Sequence, residues 1–182
     1  MSGWTSGKFT VPPHLIKQEA IAHYADKHGL KILVETGTYL GEMIEAMRHR
    51  FDKVYSVELS EMLWKRAGRR FKGIDNVELI NGDSGQELGK LMKRIDQPTL
   101  FWLDGHYSAG ETAQGEKDTP IYEELAHIFN AERMGHVIVI DDARLFGTDA
   151  DYPTIQDLTA FIEKHQPGST IEIDNDSIRI EP

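Results

Sequence analysis

Glu35-Thr36-Gly37-Thr38-Tyr39-Leu40-Gly41 is the stretch on which the reading of this chain turns. A short apolar run, Lys31 to Glu35, leads into it, and Leu40, Met43, Ile44 and Met47 follow at helical spacing. The stretch is therefore a turn where a strand hands over to a helix. Glycines at such a turn let backbone approach a ligand closely, since a β-carbon would collide with it, although a tight turn with no ligand uses the same residues. Gly37 and Gly41 stand in GxxxG spacing and not in the GxGxxG of the dinucleotide fingerprint, which argues against an NAD site.

The beat of strand and helix extends in both directions. Upstream, Pro12-Pro13 precedes a segment with Ile16, Ala20 and Tyr24 on one face, closed by Gly29, which suits a helix. Downstream, Lys53 to Glu58 is strand-like, and Ser60 is placed to cap a helix carrying Leu63, Ala67 and Phe71. Val77 to Asn81 follows, then Ser84 with Glu87 in capping-box spacing, ahead of Leu88, Leu91, Met92 and Ile95. Thr99 to Asp104 and His136 to Asp141 are further strands, with a helix from Ile121 to Asn130 between them. Val137-Ile138-Val139-Ile140 lacks alternation, as expected where helices cover both faces.

The first four strands begin at 31, 53, 77 and 99, a spacing that short crossover connections produce and that predicts a parallel α/β sheet. After a helix around Thr154 to His165, Thr170 to Asp174 and Ser177 to Glu181 are separated only by Asn175-Asp176, which makes them an antiparallel hairpin. Two stretches break the beat, Gly105 to Thr119 and Ala143 to Pro153. Both follow strand C-termini, where open α/β sheets bind ligands, so they are candidates for substrate contact as well as for plain solvated loops.

Composition narrows the function classes. The 182 residues carry 30 acidic and 20 basic side chains, a net charge of −10, which opposes binding to phosphate backbones and predicts no nucleic-acid partner. No apolar stretch approaches the ~20 residues of a membrane span, and Met1 to His14 lacks the pattern of a secretory signal, so no membrane partner and a cytoplasmic location are expected. Without cysteine there is no thiolate metal site and no cysteine nucleophile, and any metal must sit on oxygen or imidazole. The basic run Lys65, Arg66, Arg69, Arg70 and Lys72 reads as a solvated helix face, and Trp102 as core.

Glu58 ends the second strand, 17 residues after Gly41, where a carboxylate can accept from two ribose hydroxyls. Asp83, in Gly82-Asp83-Ser84, is placed to accept from an exocyclic amine, with a helix cap as the alternative reading. With these residues in order, the sequence resembles the class I S-adenosylmethionine-dependent methyltransferases, from about Lys31 to the C-terminus. The resemblance rests on ExGxxxG at 35–41, the acid at 58, GDS at 82–84 and the terminal hairpin. It implies an α/β, Rossmann-like fold with a mostly parallel seven-stranded sheet, flanked by helices and ending in that hairpin. One domain then spans 1–182, an N-terminal helix and arm over 1–30 and the core over 31–182. The cofactor implied is S-adenosylmethionine, with Glu35, Gly37, Tyr39 and Gly41 at its methionine part, Glu58 at the ribose, and Asp83 with Ser84 at the adenine end.

Asp104 closes the fourth strand, and Asp141 with Asp142 the fifth. If those strands are neighbours, three carboxylates converge, and a Mg²⁺ or similar divalent cation would relieve their repulsion. The alternative is that Asp141 or Asp142 caps the next segment or pairs with Arg144. Among methyltransferases the arrangement resembles the cation-dependent O-methyltransferases of the catechol and macrocin types, which implies Asp104, Asp141 and Asp142 as metal ligands. It also implies Asp104 at the cofactor, a small hydroxylated molecule as substrate, and catalysis by Asp104 and His106. A cation-bound hydroxyl is acidified, and His106, two residues past Asp104, is the candidate general base, with a plain loop role as the alternative. In the catechol type a lysine stands three residues past the strand-four aspartate; here it is Tyr107, which leans toward the macrocin type. Two other readings stay open, a non-catalytic cofactor-binding or scaffold protein and a metal-dependent hydrolase. Self-association into a homo-oligomer is compatible with the sequence and not fixed by it.

Overall fold

The computed structural model describes residues 11–105, 119–132 and 134–182. Seven strands form one sheet in the order β3-β2-β1-β4-β5-β7-β6. They are β1 (Ile32–Thr36), β2 (Lys53–Glu58), β3 (Val77–Asn81), β4 (Thr99–Leu103), β5 (Val137–Ile140), β6 (Thr170–Asp174) and β7 (Ser177–Glu181). The first five are parallel, and β7 runs antiparallel to both β5 and β6. The fold class read from the sequence is the one observed. Asn175 and Asp176 turn the hairpin with both φ angles positive, at 48° and 62°, the conformation whose twist matches the strands it joins.

Among the described residues, six α-helices cover the two faces. α1 (His14–His28), α2 (Glu42–Met47) and α3 (Glu61–Arg70) lie on one, and α4 (Ser84–Leu91), α5 (Ile121–Asn130) and α6 (Ile155–His165) on the other. Successive strand residues split between the layers: Leu100 and Trp102 pack with the α1 side, Phe101 and Leu103 with the α5 side. Both sets are apolar, which is why the strand shows no polar alternation. Each fully buried side chain of this kind contributes roughly 1.5–3 kcal/mol.

Two local expectations are corrected. The buried face of α1 is Ile21, Tyr24 and Ala25, whereas Ile16 and Ala20 are only half-buried. Ser84 is not the N-cap of α4. Asp83 takes that position, its carbonyl accepting from Gln86 and Glu87 backbone N–H groups at 3.0 and 2.8 Å, and Glu87 pairs with Lys90 at 2.6 Å. Ser60 does cap α3, accepting from Leu63 N–H at 3.4 Å, and Thr154 caps α6 by accepting from Asp157 N–H at 3.1 Å. Asp104 and Asp141 lie just past the ends of β4 and β5. No helix among the described residues is long and apolar enough to cross a membrane.

Candidate functional site

The C-terminal edge of β1, β2 and β3 is held together by its own backbone and one carboxylate. Gly37 N–H donates to the Val57 carbonyl at 2.9 Å, and Gly82 N–H to the Glu58 carbonyl at 3.0 Å. Glu58 is 5% exposed, and its two oxygens accept from the backbone N–H groups of Tyr39 and Ser60, each at 2.8 Å. Each oxygen keeps a further lone pair. The loop from 37 to 41 is thus pinned to the second strand by the residue read as a ribose ligand. Tyr39, at φ 46°, is 45% exposed above it.

The two glycines have reasons of their own. A β-carbon on Gly37, at φ 85°, would lie 2.4 Å from the backbone carbonyl oxygen of Asp104, and one on Gly41, at φ 75°, 2.6 Å from the Phe71 ring. Their absence of a side chain serves packing within the chain, the ligand-free explanation of the motif. Glu35 lies beneath the loop, 2% exposed, its carboxylate accepting from the Ser56 hydroxyl at 2.5 Å, with Ser56 and Thr38 hydroxyls 2.6 Å apart. Burial pushes the Glu35 carboxyl up to about 8 against the opposing hydrogen bond from Ser56, with Asp104 and Glu58 pushing the same way. Asp83 caps no N–H with its side chain.

The adjacent edge, β4 and β5, carries the acidic cluster. The strands pair directly, Leu103 opposite Ile140, so the residues that follow them meet. Asp104, Asp141 and Asp142 each offer a carboxylate oxygen within 4.8 Å of the others. Asp142 adopts φ 57°, a left-handed conformation that aspartate tolerates, and leads into a 3-10 turn at Ala143–Leu145. Arg144 pairs with Asp142 at 2.6 Å and also with Asp176, the ion pair anticipated from the sequence. Asp141 is 3% exposed and its Oδ1 has no hydrogen-bond partner among the described residues. Burial, with Asp104 and Asp142 beside it, raises the Asp141 carboxyl, while Lys17 pulls the other way. An orphaned buried carboxylate oxygen among three converging aspartates is a donor set that fits a hard divalent cation. His106 and Tyr107 lie outside the described residues.

Three residues that the motifs do not announce complete this edge. Lys17 reaches across from α1 and bonds Asp141 Oδ2, with Asp142 Oδ1 at 4.0 Å and the Trp102 ring centroid at 5.9 Å. Glu124, on α5, is buried beside Gly105. A β-carbon on that glycine would meet Glu124 Oε1 and Thr36 Oγ1 at 3.2 Å and Ser84 Oγ at 3.4 Å. Burial raises the Glu124 carboxyl to about 7, while the neighbouring Ser84 and Thr36 hydroxyls pull it back. Neither Glu124 Oε1 nor Thr36 Oγ1 completes a hydrogen bond among the described residues. Tyr152, from the stretch after β5, packs edge-on to Phe146 at 5.1 Å, and its hydroxyl too is buried without a partner. Burial and the nearby aspartates raise its phenol.

Asp104, Asp141, Glu124, Phe146 and Tyr152 line one cleft at this edge. Ser84 thus faces Glu124 rather than a helix N–H. A sequence signal existed for two of the three additions. Lys17 precedes Ile21, Tyr24 and Ala25 at i+4, i+7 and i+8, and Glu124 stands among Ile121, Leu125 and Ile128, so each is a charge on an apolar helix face. Nothing comparable marks Tyr152.

No family model and no curated protein matches the chain. Solved structures do. The O-methyltransferase TomG from Streptomyces achromogenes, in complex with S-adenosylmethionine, aligns with a TM-score of 0.62 at 18% identity over 91% of this chain and 78% of its own. An O-methyltransferase from Bacillus cereus, in complex with S-adenosylhomocysteine, gives 0.66 at 16% identity over 94% and 81%. The S-adenosylhomocysteine-bound methyltransferase PaMTH1 from Podospora anserina gives 0.63 at 15% over 97% and 83%. At these identities the likeness establishes the fold: the chain has the Rossmann-like fold of the class I S-adenosylmethionine-dependent methyltransferases, as the resemblance implied.

Proposed function

We propose that the protein is an S-adenosylmethionine-dependent methyltransferase acting on a hydroxyl of a small molecule, assisted by a divalent cation at Asp104, Asp141 and Asp142. The observation that carries this reading is the placement, on one edge of a methyltransferase-fold sheet, of a carboxylate-pinned loop beside a three-aspartate cluster. The neighbours solved with the methyl donor or its product support the cofactor.

When bound, the donor supplies an electrophilic sulfonium methyl, and a cation at the aspartates would acidify the acceptor hydroxyl. The chain's own residues supply position and charge. Glu58 has lone pairs left for the ribose hydroxyls after holding Tyr39 and Ser60. Asp83 offers a carboxylate that caps no N–H to the adenine end, with Ser84 beside it, and Gly37, Tyr39 and Gly41 shape the loop at the methionine part with Glu35 beneath. Asp104 stands where the two half-sites join, its backbone N–H donating to the Thr36 carbonyl at 3.1 Å. Phe146 and Tyr152 wall the acceptor side. His106 would take the acceptor's proton. A net charge of −10 supports a small-molecule acceptor over nucleic acid, and a cytoplasmic location belongs to the same reading.

Calorimetric titration with S-adenosylmethionine and S-adenosylhomocysteine, with and without Mg²⁺, tests the proposal, followed by turnover on a panel of hydroxylated small molecules. Nucleoside binding, with turnover that EDTA suppresses, is the expected result. Binding without turnover would indicate a scaffold, and metal binding without the nucleoside a hydrolase. Turnover that ignores EDTA would remove the cation from the mechanism.

A further inference from the structure

The aspartate cluster already holds a positive charge, and that charge belongs to the chain. Lys17 Nζ bonds Asp141 Oδ2, lies 4.0 Å from Asp142 Oδ1, and feels Asp104 as well. Its side chain is 15% exposed and its ammonium faces the Trp102 ring. The nitrogen thus lies between the carboxylates of Asp141 and Asp142.

The helix that delivers it is unevenly fastened. The C-terminal half of α1 buries Ile21, Tyr24 and Ala25, and Lys27 and His28 both reach Glu181 on β7, at 2.5 and 2.6 Å. The residues from His14 to Ala20 include none that is fully buried, and Leu15 is 59% exposed. In that half, among the described residues, Lys17 is the side chain that forms an ion pair with the strand ends. Asp141 Oδ1, beside the bonded Oδ2, is a buried acceptor with no hydrogen-bond partner among the described residues.

Resting on the cation-assisted reading above, we propose that Lys17 is a displaceable resident counter-ion. Its ammonium and a divalent ion exclude each other at the Asp141–Asp142 gap, so the ion enters only as the N-terminal half of α1 lifts. Without a divalent ion, Lys17 offsets the repulsion among the aspartates and keeps the first turns of α1 docked. Two positive centres sharing Asp141 repel strongly at this depth, since water screens them poorly. The ammonium therefore leaves, and the helix hinges about the anchored Ile21 to His28 segment.

The test is Mn²⁺ binding to the full chain, followed by electron paramagnetic resonance, for the wild type, Lys17→Met and Lys17→Arg. Methionine keeps the apolar stem against Trp102 and removes the charge; arginine keeps the charge. Lys17→Met should bind Mn²⁺ about tenfold tighter or more, and Lys17→Arg no tighter than the wild type. Hydrogen exchange in wild-type His14 to Ala20 should quicken when Mn²⁺ is added, a readout that needs no variant to fold. Equal or weaker Mn²⁺ binding by Lys17→Met would overturn the proposal and make Lys17 a fixed support of Asp141. Unchanged exchange in wild-type α1 at saturating Mn²⁺ would overturn it as well. S-adenosylhomocysteine binding, measured in parallel, separates this failure from failure of the methyltransferase reading, because a chain that binds no nucleoside fails there whatever Lys17 does.

Discussion

Two halves of one sheet edge solve the burial of charge in opposite ways. At β1 and β2 the carboxylate of Glu58 is satisfied by Tyr39 and Ser60, neighbours 19 and 2 residues away in sequence, and both bonds are to backbone. At β4 and β5, three carboxylates converge, and Asp141 finds its partner in Lys17, 124 residues distant. In the first half the carboxylate that pins the loop has both oxygens satisfied by the chain itself. Among the described residues, the second retains unpaired polar atoms on Asp141, Glu124 and Tyr152, with Thr36 Oγ1 at the end of β1 facing it. Unmade hydrogen bonds in a buried site cost stability. Under the proposed function, the contrast would place the binding of a constant partner on one half and the adaptable chemistry on the other.

The sharpest way to break that division is to disable each half alone. Asp141→Asn is expected to abolish metal-stimulated turnover while S-adenosylhomocysteine affinity stays within about twofold, since the proposed ribose and loop contacts belong to the other half. A loss of nucleoside affinity matching the loss of turnover would dissolve the boundary between the halves. The converse change, Glu58→Ala, removes charge-assisted hydrogen bonds worth roughly 1.5–3 kcal/mol. Nucleoside affinity should fall roughly 10- to 150-fold, with Mn²⁺ affinity unaltered. An unchanged dissociation constant by calorimetry would strip Glu58 of its ligand role and leave it a loop pin.

The two halves were also unequally legible in the sequence. Five strands and the hairpin follow from apolar runs at even spacing, because each element is fixed by residues adjacent in the chain, whereas the strand order depends on long-range pairing. Glu58 and the 35–41 loop share that locality. The acidic cluster was legible as far as strand-end aspartates go, since pairing β4 with β5 suffices to join them. Lys17, Glu124 and Tyr152 were not read, because their roles depend on how α1, α5 and the 143–153 stretch pack onto the edge. Lys17 and Glu124 did leave a trace, a charge on an apolar helical face. The mistaken cap at Ser84 has the same origin. Asp83 and Ser84 are chemically alike as caps, and the buried Glu124, 40 residues on, draws Ser84 inward.

A smaller effect separates the halves by pH. Glu35, under the closed half, has its carboxyl raised by burial from an ordinary 4.5 to about 8. The folded chain therefore binds a proton there that the unfolded chain releases, so this group's contribution to stability is complete below about 4.5. It drains as pH rises through the folded value and is gone above about 8. Urea unfolding of the wild type should show stability falling across that window, and Glu35→Gln, which cannot ionise, should fall less. Glu124 and Asp141, raised in the open half, titrate in the same window in both proteins, so the difference between the two curves isolates Glu35. Parallel curves would mean that Ser56 holds Glu35 ionised throughout.

The smallest expected change probes the open half from its rim. Tyr152 presents a buried hydroxyl with no partner among the described residues, beside a cleft it shares with Asp104 and Asp141. Removing a polar group that has forfeited water and gained nothing relieves a desolvation penalty, so Tyr152→Phe should leave stability unchanged or raise it by up to about 1 kcal/mol. The ring contact with Phe146 is retained. If the hydroxyl is kept for an acceptor, the same substitution should raise the acceptor's KM severalfold at little change in nucleoside affinity. A hydroxyl satisfied within the free protein gives the opposite pattern, a loss of stability of about 1 kcal/mol and an unaltered KM, and the open half would then be closed at this point too.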